Sequence, residues 1–376
     1  MAGALSGLRI IEFAGLGPGP FCAMMLADHG AEIIRIDRVG GRNRINDPTL
    51  RSRKSVALNL KTKEGVDLAK ELVKSADGLI EGLRPGVMER LGLGPDELLA
   101  ENPKLIYGRM TGWGQSGPYA AAAGHDINYI ALTGALHSCG RAGGKPTAPV
   151  NYLGDFGGGG MMLAFGMVSA FLAIKNGGSG QIIDCAMTDG TAALMAATWG
   201  LHADGLWEDE RGVNLLDSGA HFYDTYETSD GKFISIGSIE PKFYALLLEK
   251  TGIVNDPNFE AQRDKAKWPV LSEKLTAIFK TKTRDAWCEL MEGTDVCFAP
   301  VLSLSEAPHH PHNVARTTFL GVGGAVQPAP APRFSVTKAK TPRQAPQVGD
   351  DTDVVLEAIG RNRAQIEALK SRGIVQ

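Results

Sequence analysis

The chain has 376 residues, of which 22% are Asp, Glu, Lys or Arg, and a formal net charge of −3. That balance offers no basic field to a nucleic-acid backbone, and the length suits two or three domains, each with its own core. The five cysteines, Cys22, Cys139, Cys185, Cys288 and Cys297, are scattered, odd in number and without a Cys-x-x-Cys pair. They read as free thiols in a reducing, cytoplasmic setting, and neither they nor the histidines fall at metal-ligand spacing.

Met1 to Phe13 lacks a basic segment before an apolar core, so it reads as a first strand over Leu8 to Phe13 rather than as a signal peptide. A helix over Phe21 to His29, stopped by Gly30, and a strand over Glu32 to Ile36 complete a βαβ unit. The connecting Gly15-Leu16-Gly17-Pro18-Gly19-Pro20 approaches a dinucleotide fingerprint, with Asp37 following the second strand. Pro20 stands where the third glycine belongs and Pro18 removes a phosphate-facing N–H, so we reject that reading. Helix Lys63 to Ser75, strand Gly78 to Glu81, helix Gly86 to Leu91 and strand Leu105 to Met110 continue an α/β layer domain. Met161 to Ile174 is shorter than the about 20 residues that a bilayer requires and is expected to be a buried helix.

The texture changes near Tyr223, where Tyr223 to Thr228 and Lys232 to Gly237 flank Ser229-Asp230-Gly231, a hairpin signal that opens a smaller α+β unit. Helices follow around Pro241 to Lys250, Pro269 to Phe279 and Thr283 to Met291. The proline-rich stretch Gln327 to Pro346 reads as an extended return, and a capped helix over Asp351 to Arg361 precedes a second short one. The expected division is 1–200 for a large domain, 201–222 for a linker, 223–316 for the small domain, 317–348 for a return linker, and 349–376 for helices rejoining the large domain.

Two proton-transfer groups of different type fall in loops. His125 lies in Gly124-His125-Asp126-Ile127-Asn128-Tyr129, and Asp155 in Gly154-Asp155-Phe156, just before Gly157 to Gly160. The glycines are expected to open the Met161 to Ile174 helix with N–H groups free, beside Asp155, where developing negative charge is held. Either residue alone is ordinary: an Asp before an apolar helix is most often a cap, and a loop His is most often a hydrogen-bonded surface group. Together they form a candidate acid/base pair for one carbon.

Several blocks in order then resemble one family. They are Leu5-Ser6-Gly7-Leu8-Arg9-Ile10, Gly17-Pro18-Gly19-Pro20, Arg35-Ile36-Asp37-Arg38, Arg84-Pro85-Gly86-Val87, Thr111-Gly112-Trp113-Gly114-Gln115, the Gly124 to Tyr129 block and Gly154-Asp155-Phe156. The chain resembles the class III coenzyme A transferase superfamily over essentially its whole length, and within it the branch of racemases acting on 2-methylacyl-CoA thioesters. The resemblance implies a large Rossmann-like α/β domain with a smaller α+β domain, in a homodimer of two interlocked chains. It implies His125 and Asp155 as the acid/base pair and Glu240, in Ser238-Ile239-Glu240-Pro241, as the partner of the histidine. Without the family, Glu240 would read as an acidic residue ahead of a helix starting at Pro241. The resemblance also places the coenzyme A moiety against Arg38, the segment Ala57, Leu58, Asn59, Leu60 and Lys61, Arg84, Arg90, and the block Gly124, Asp126, Ile127, Asn128 and Tyr129. Guanidinium groups suit its phosphates.

The implied reaction removes and returns the α-proton through an enolate, with no redox or metal cofactor, no nucleic acid and no membrane. Three alternatives stand beside it: a coenzyme A transferase in which Asp155 is an acyl-anhydride nucleophile, a non-enzymatic acyl-CoA-binding protein, and the disfavoured NAD-dependent oxidoreductase. Two departures from the racemase pattern bear on the acyl pocket. His221 replaces a proline in Ser218-Gly219-Ala220-His221, and Leu83 replaces an aromatic or amide residue before Arg84.

Overall fold

The computed structural model describes residues 3–376, which fall into two compact units. The first comprises Met1–Thr133, Val150–Leu194 and Ala315–Gln376. Its centre is a six-stranded parallel sheet of β1 (Arg9–Phe13), β2 (Glu32–Arg38), β3 (Lys54–Leu58), β4 (Gly78–Glu81), β5 (Ile106–Thr111) and β6 (Gln181–Ala186). The spatial order is β3-β2-β1-β4-β5-β6, so the direction of winding reverses between β1 and β4. Alternation along each strand feeds a separate core on each face. Ile11, Ile34, Leu79 and Tyr107 meet Leu68, Leu72, Val355 and Ile366 on one side. Ile10, Ile33, Ile80 and Ile106 meet Leu26, Leu163 and Met167 on the other.

β3 and β6 have no expected strand at their full extent. β3 opens on Lys54-Ser55, and its Ser55 Oγ donates to Asp37 Oδ2 at 2.7 Å, so a polar residue sits in the interior by pairing there. In β6, at the sheet edge, Gln181, Ile182 and Asp184 are exposed and no alternating pattern survives. The helices Pro95–Glu101, Met187–Leu194 and Ala196–Ala203 and the hairpin Phe319–Val322/Ala325–Pro328 are likewise additions to the sequence reading. After the hairpin, 329–346 contains no regular element, and the helices Thr352–Ala358 and Arg363–Ser371 close the chain.

The helix around Asp155 departs most from expectation. It starts at Tyr152, runs through a π-helical stretch Tyr152–Met161 and continues over Met162–Lys175. Gly157 to Gly160 therefore lie inside the helix, and their N–H groups do not form its free end. Their role is close approach. A Cβ on Gly158 would lie 2.6 Å from the Thr191 backbone nitrogen, one on Gly160 2.7 Å from the Phe21 ring, and one on Gly190 would run into the Gly158 carbonyl oxygen. Glycine is the residue that lets three backbones meet this way.

Nor is this helix buried all round. Leu163, Ala164, Met167 and Ala170 face the core, whereas Phe165 and Leu172 are 73% and 58% exposed, with Met161 and Val168 beside them. At 24 residues, Tyr152–Lys175 is also long and apolar enough to cross a membrane by length and composition, which the shorter run read from sequence is not. Its packed face and its glycine contacts fit it to the sheet of this unit.

The second unit takes Gly134–Pro149 and Met195–Val314, so residues expected to finish the large domain and form the first linker pack here. Strands Tyr223–Glu227, Phe233–Gly237 and Phe298–Val301 form an antiparallel sheet. Helices Pro241–Thr251, Trp268–Phe279 and Arg284–Met291 cover a core of Phe222, Leu247, Leu275, Phe279 and Trp287.

His221 belongs to that core rather than to a pocket wall. It is fully buried against Phe222, Tyr244 and Phe259, with Nε2 2.7 Å from the Tyr244 hydroxyl and Nδ1 without a partner. Burial pushes its pKa down to about 4. The neutral ring is thus the folded form, and the unfolded chain binds the extra proton between about pH 6.5 and 4. Stability contributed by the neutral ring is present above that window and is lost as pH falls through it, by about 3 kcal/mol. Urea unfolding at pH 7 and pH 4 should show a smaller acid loss in His221→Gln than in the native chain; equal losses would remove His221 from the account.

Candidate active site

The carboxyl ends of β1, β4 and β5, at the point where the winding reverses, surround a cavity of about 500 Å3. Gly15, Leu16, Gly17 and Pro18 form one wall, Gly82, Leu83, Arg84 and Pro85 a second, and Thr111, Gly112 and Trp113 a third. His125 and Asp155 both line it, together with Gly124, Tyr129 and Met187. Open α/β sheets bind ligands at such switch points, because loops diverge there and leave a crevice.

His125 is exposed and precedes the helix Asp126–Ala131, its N–H donating to Asn128 Oδ1 at 3.0 Å. Asp155 is half-buried in the first turn of the long helix. Burial lifts its carboxyl above the ordinary range; a hydrogen bond from Asn151 Nδ2 at 3.0 Å opposes the rise, the nearby Asp126 charge adds to it and that of His125 opposes it. The Asp155 N–H donates to Asp126 Oδ1 at 2.7 Å. Gly17, at φ +64°, brings the turn after β1 so close that a Cβ there would lie 3.0 Å from Asp155 Oδ2. Tyr129 packs edge-on against Trp113 and its hydroxyl donates to the Gly124 carbonyl, which fixes the loop leading into His125.

The turn over Asp155 is held from beneath by buried charge. Glu12, in β1, accepts from Arg35 Nη1 at 2.5 Å and from Arg53 Nε at 2.9 Å, and all three are 5% exposed or less. Burial alone would raise the Glu12 carboxyl, but the Arg53 and Arg35 guanidinium groups hold it below the usual range. Arg53 Nη2 also donates to the Pro20 carbonyl at 2.5 Å, and Arg35 Nη2 to that of Gly15 at 3.4 Å. The two arginines thereby pin both ends of the Gly15–Pro20 turn. Nothing in the spacing of these groups along the sequence shows that β1, β2 and the residue ahead of β3 bring them together.

A second cavity of about 380 Å3 lies at the ends of β1, β2 and β3. Arg38, Leu58, Asn59, Leu60 and Lys61 line it, with Asp37 and Leu83. Leu83 lines both cavities, so the departure noted there falls on the strip common to them. The other expected contacts are placed as follows. Ala57 is fully buried, its N–H donating to Thr352 Oγ1 at 3.1 Å, and does not line the cavity. Arg84 lines the first cavity, whereas Arg90 is exposed and lines neither. Gly124 and Tyr129 line the first cavity, while Asp126 is buried behind it and Ile127 and Asn128 are exposed outside it. Glu240, in the second unit, is the exposed residue preceding the helix Pro241–Thr251 and makes no capping hydrogen bond. Asn151 is an addition: four residues before Asp155, it has no motif to mark it.

If the second cavity takes the phosphate-bearing end of a ligand, Arg38→Ala and Lys61→Ala should each weaken binding of coenzyme A by about fivefold at low salt, the scale of one exposed ion pair. The difference from the native chain should shrink as salt rises, in a titration of coenzyme A alone. Unchanged affinity at low salt would leave both as surface residues.

Residues 5–352 match the model of CoA-transferase family III. The chain is 46% identical to the α-methylacyl-CoA racemase of Mus musculus over 99% of its length and 97% of that protein. To the α-methylacyl-CoA racemase of Homo sapiens it is 44% identical, over 99% of the chain and 98% of that protein. Among solved structures, a CAIB/BAIF family protein from Brucella suis superposes with a TM-score of 0.83 over 96% of this chain and all of that one; at 24% identity it bears on the fold alone. With the parallel sheet, its winding order and the whole-length match in agreement, the chain belongs to the class III coenzyme A transferase family.

Proposed function

We propose that this chain epimerises 2-methylacyl-CoA thioesters at C2, by removing the α-proton to an enolate and returning a proton to the other face. The observation that carries this reading is the presence of His125 and Asp155 on one cavity, near enough for their charges to interact. One takes the proton while the conjugate acid of the other supplies one. The C–H electron pair passes into the enolate and returns to the new C–H bond without net oxidation or reduction, so the reaction calls for no redox partner.

A proton α to a thioester is far less acidic than either conjugate acid, so the enolate oxygen needs donors as it forms. The glycine amides are committed within the long helix. Among the remaining donors, the Asp126 and Ile127 amides open the helix after His125 ahead of its first bonded amide, that of Asn128, which donates to the His125 carbonyl at 2.8 Å. Burial adds to the basicity of Asp155, which suits it to proton abstraction nearer neutral pH. Arg38 and Lys61 hold the phosphates in the neighbouring cavity, and the thioester passes over Leu83 to the reactive one.

The reading includes a homodimer. Phe165, Val168 and Leu172 expose an apolar helix face that a second copy would cover, and the family resemblance has Glu240 of one chain orienting His125 of the other.

A single stereoisomer of a 2-methylacyl-CoA, incubated in deuterated water, should become a mixture of epimers carrying deuterium at C2. His125→Ala and Asp155→Ala should each slow this by at least about 10²-fold, and Glu240→Gln by less. Transfer of coenzyme A to a free acid without α-exchange would establish the transferase alternative instead. Co-expressing Asp155→Ala with Glu240→Ala chains should restore activity through the one intact shared site; mixed dimers without activity would place all three residues in one chain.

A further inference from the structure

Asp126 stands between the two members of the proposed acid/base pair. It follows His125 directly, and its Oδ1 accepts the Asp155 N–H at 2.7 Å. One short side chain therefore ties the segment that carries the imidazole to the helix that carries the carboxylate. The approach is tight: a Cβ on Gly154 would lie 2.5 Å from Asp126 Oδ1 and 3.1 Å from the Ile130 side chain. Asp126 is only 7% exposed, Oδ2 accepts no hydrogen bond from the protein, and no cation pairs with it among the described residues. A buried carboxylate oxygen without a protein donor is costly unless its desolvation is offset. Its side chain lies behind the cavity wall and meets the site at the Asp155 N–H.

We propose that Asp126 is the positioning residue of this site, fixing where Asp155 stands relative to His125 and placing a like charge behind it. The inference rests on the reading of His125 and Asp155 as the acid/base pair. The groups facing Asp155 are few. The helix after His125 contributes Asp126 and Tyr129 beside His125 itself, the long helix follows Asn151, and the β4 loop presents Arg84 on the same cavity. The Gly15–Pro18 turn carries no ionisable side chain, and Asp189, on the neighbouring helix, is exposed beside Thr188. The negative charge closest behind Asp155 is thus Asp126, and a like charge disfavours the ionised form.

Three variants test this through α-hydrogen exchange measured as kcat and KM across pH, with coenzyme A binding measured alongside. Asp126→Asn keeps an acceptor for the Asp155 N–H and removes the charge. Its kcat should stay within about tenfold of the native value, and the acid limb in the direction where Asp155 takes the proton should move to lower pH. Asp126→Ala removes the strut and should lower kcat by about 10²-fold with KM and coenzyme A affinity within about twofold, the scale of a misplaced reacting group. Gly154→Ala keeps the Asp126 carboxylate but pushes it off the Asp155 N–H and should reproduce that kcat loss. An unmoved acid limb in Asp126→Asn, native kcat in Asp126→Ala, or losses confined to KM and coenzyme A affinity would overturn the proposal. Should Asp126→Ala fail to fold, the Asp126→Asn profile decides. If His125→Ala and Asp155→Ala keep native exchange, the acid/base reading fails; if both are inactive while all three variants match the native chain, only this inference fails.

Discussion

The backbone approach that glycine permits between Gly158 and Gly190 is also one on which the chemistry of the large unit depends. Gly158, Gly159 and Gly160 let the helix bearing Asp155 press against α1 (Pro18–Asp28) on one side and Met187–Leu194 on the other, at distances that any side chain would prevent. The Asp155 helix is thereby seated against two neighbours that themselves grip the sheet. Phe156 then stacks on Phe21 at 4.7 Å, just beyond Asp155, which fixes the rotation of the helix as well as its depth. A reacting carboxylate gains from such rigidity, since misplacement by about 1 Å is enough to lose most of the rate.

Buried charge serves the same end from beneath. Two guanidinium groups sharing Glu12 in a solvent-free layer would be a poor source of net stability, because desolvation offsets most of their attraction. Their geometry is the stronger explanation. By donating to the carbonyls of Gly15 and Pro20 they hold a turn rich in glycine and proline, and that turn forms the wall over Asp155. On β4 and β5 an analogous set acts on the opposite wall. Glu81 accepts from Arg109 Nε and from the Leu83 N–H, holding the loop whose Leu83 borders both cavities. The walls of the crevice are thus fastened to the ends of the sheet by charged hydrogen bonds, while hydrophobic packing builds the layers below.

Much of this architecture was legible along the chain. β4 and the small unit's hairpin fall where alternation and turn residues place them, because local propensity and tertiary demand agree there. β3 is not legible in the sequence because its polar start is satisfied by distant groups: Lys54 by Glu32, and Ser55 by Asp37, Gly349 and Asp351, the last nearly three hundred residues away and accepting the Ser55 N–H at 2.9 Å. The glycine run was read as a helix opening because glycine disfavours helix, and that preference holds until a neighbouring backbone requires it. The racemase pattern puts His221 at a pocket wall, yet Tyr244 and Phe259 draw it into the core of the small unit.

By itself, the sequence determined the residue types of the chemistry: an imidazole in His125, a carboxylate in Asp155, and cations in Arg38 and Lys61 near strand ends. It determined these because side-chain chemistry is local, and because several motifs in fixed order carry more information than any one of them. Only the tertiary structure decided that Asp126 braces Asp155, that Ala57 faces the interior while Leu58 to Lys61 line a cavity, and that Arg35 and Arg53 meet on Glu12. Those relations depend on strand order and helix rotation, which are set by long-range backbone contacts and leave no trace in the spacing of residues along one segment.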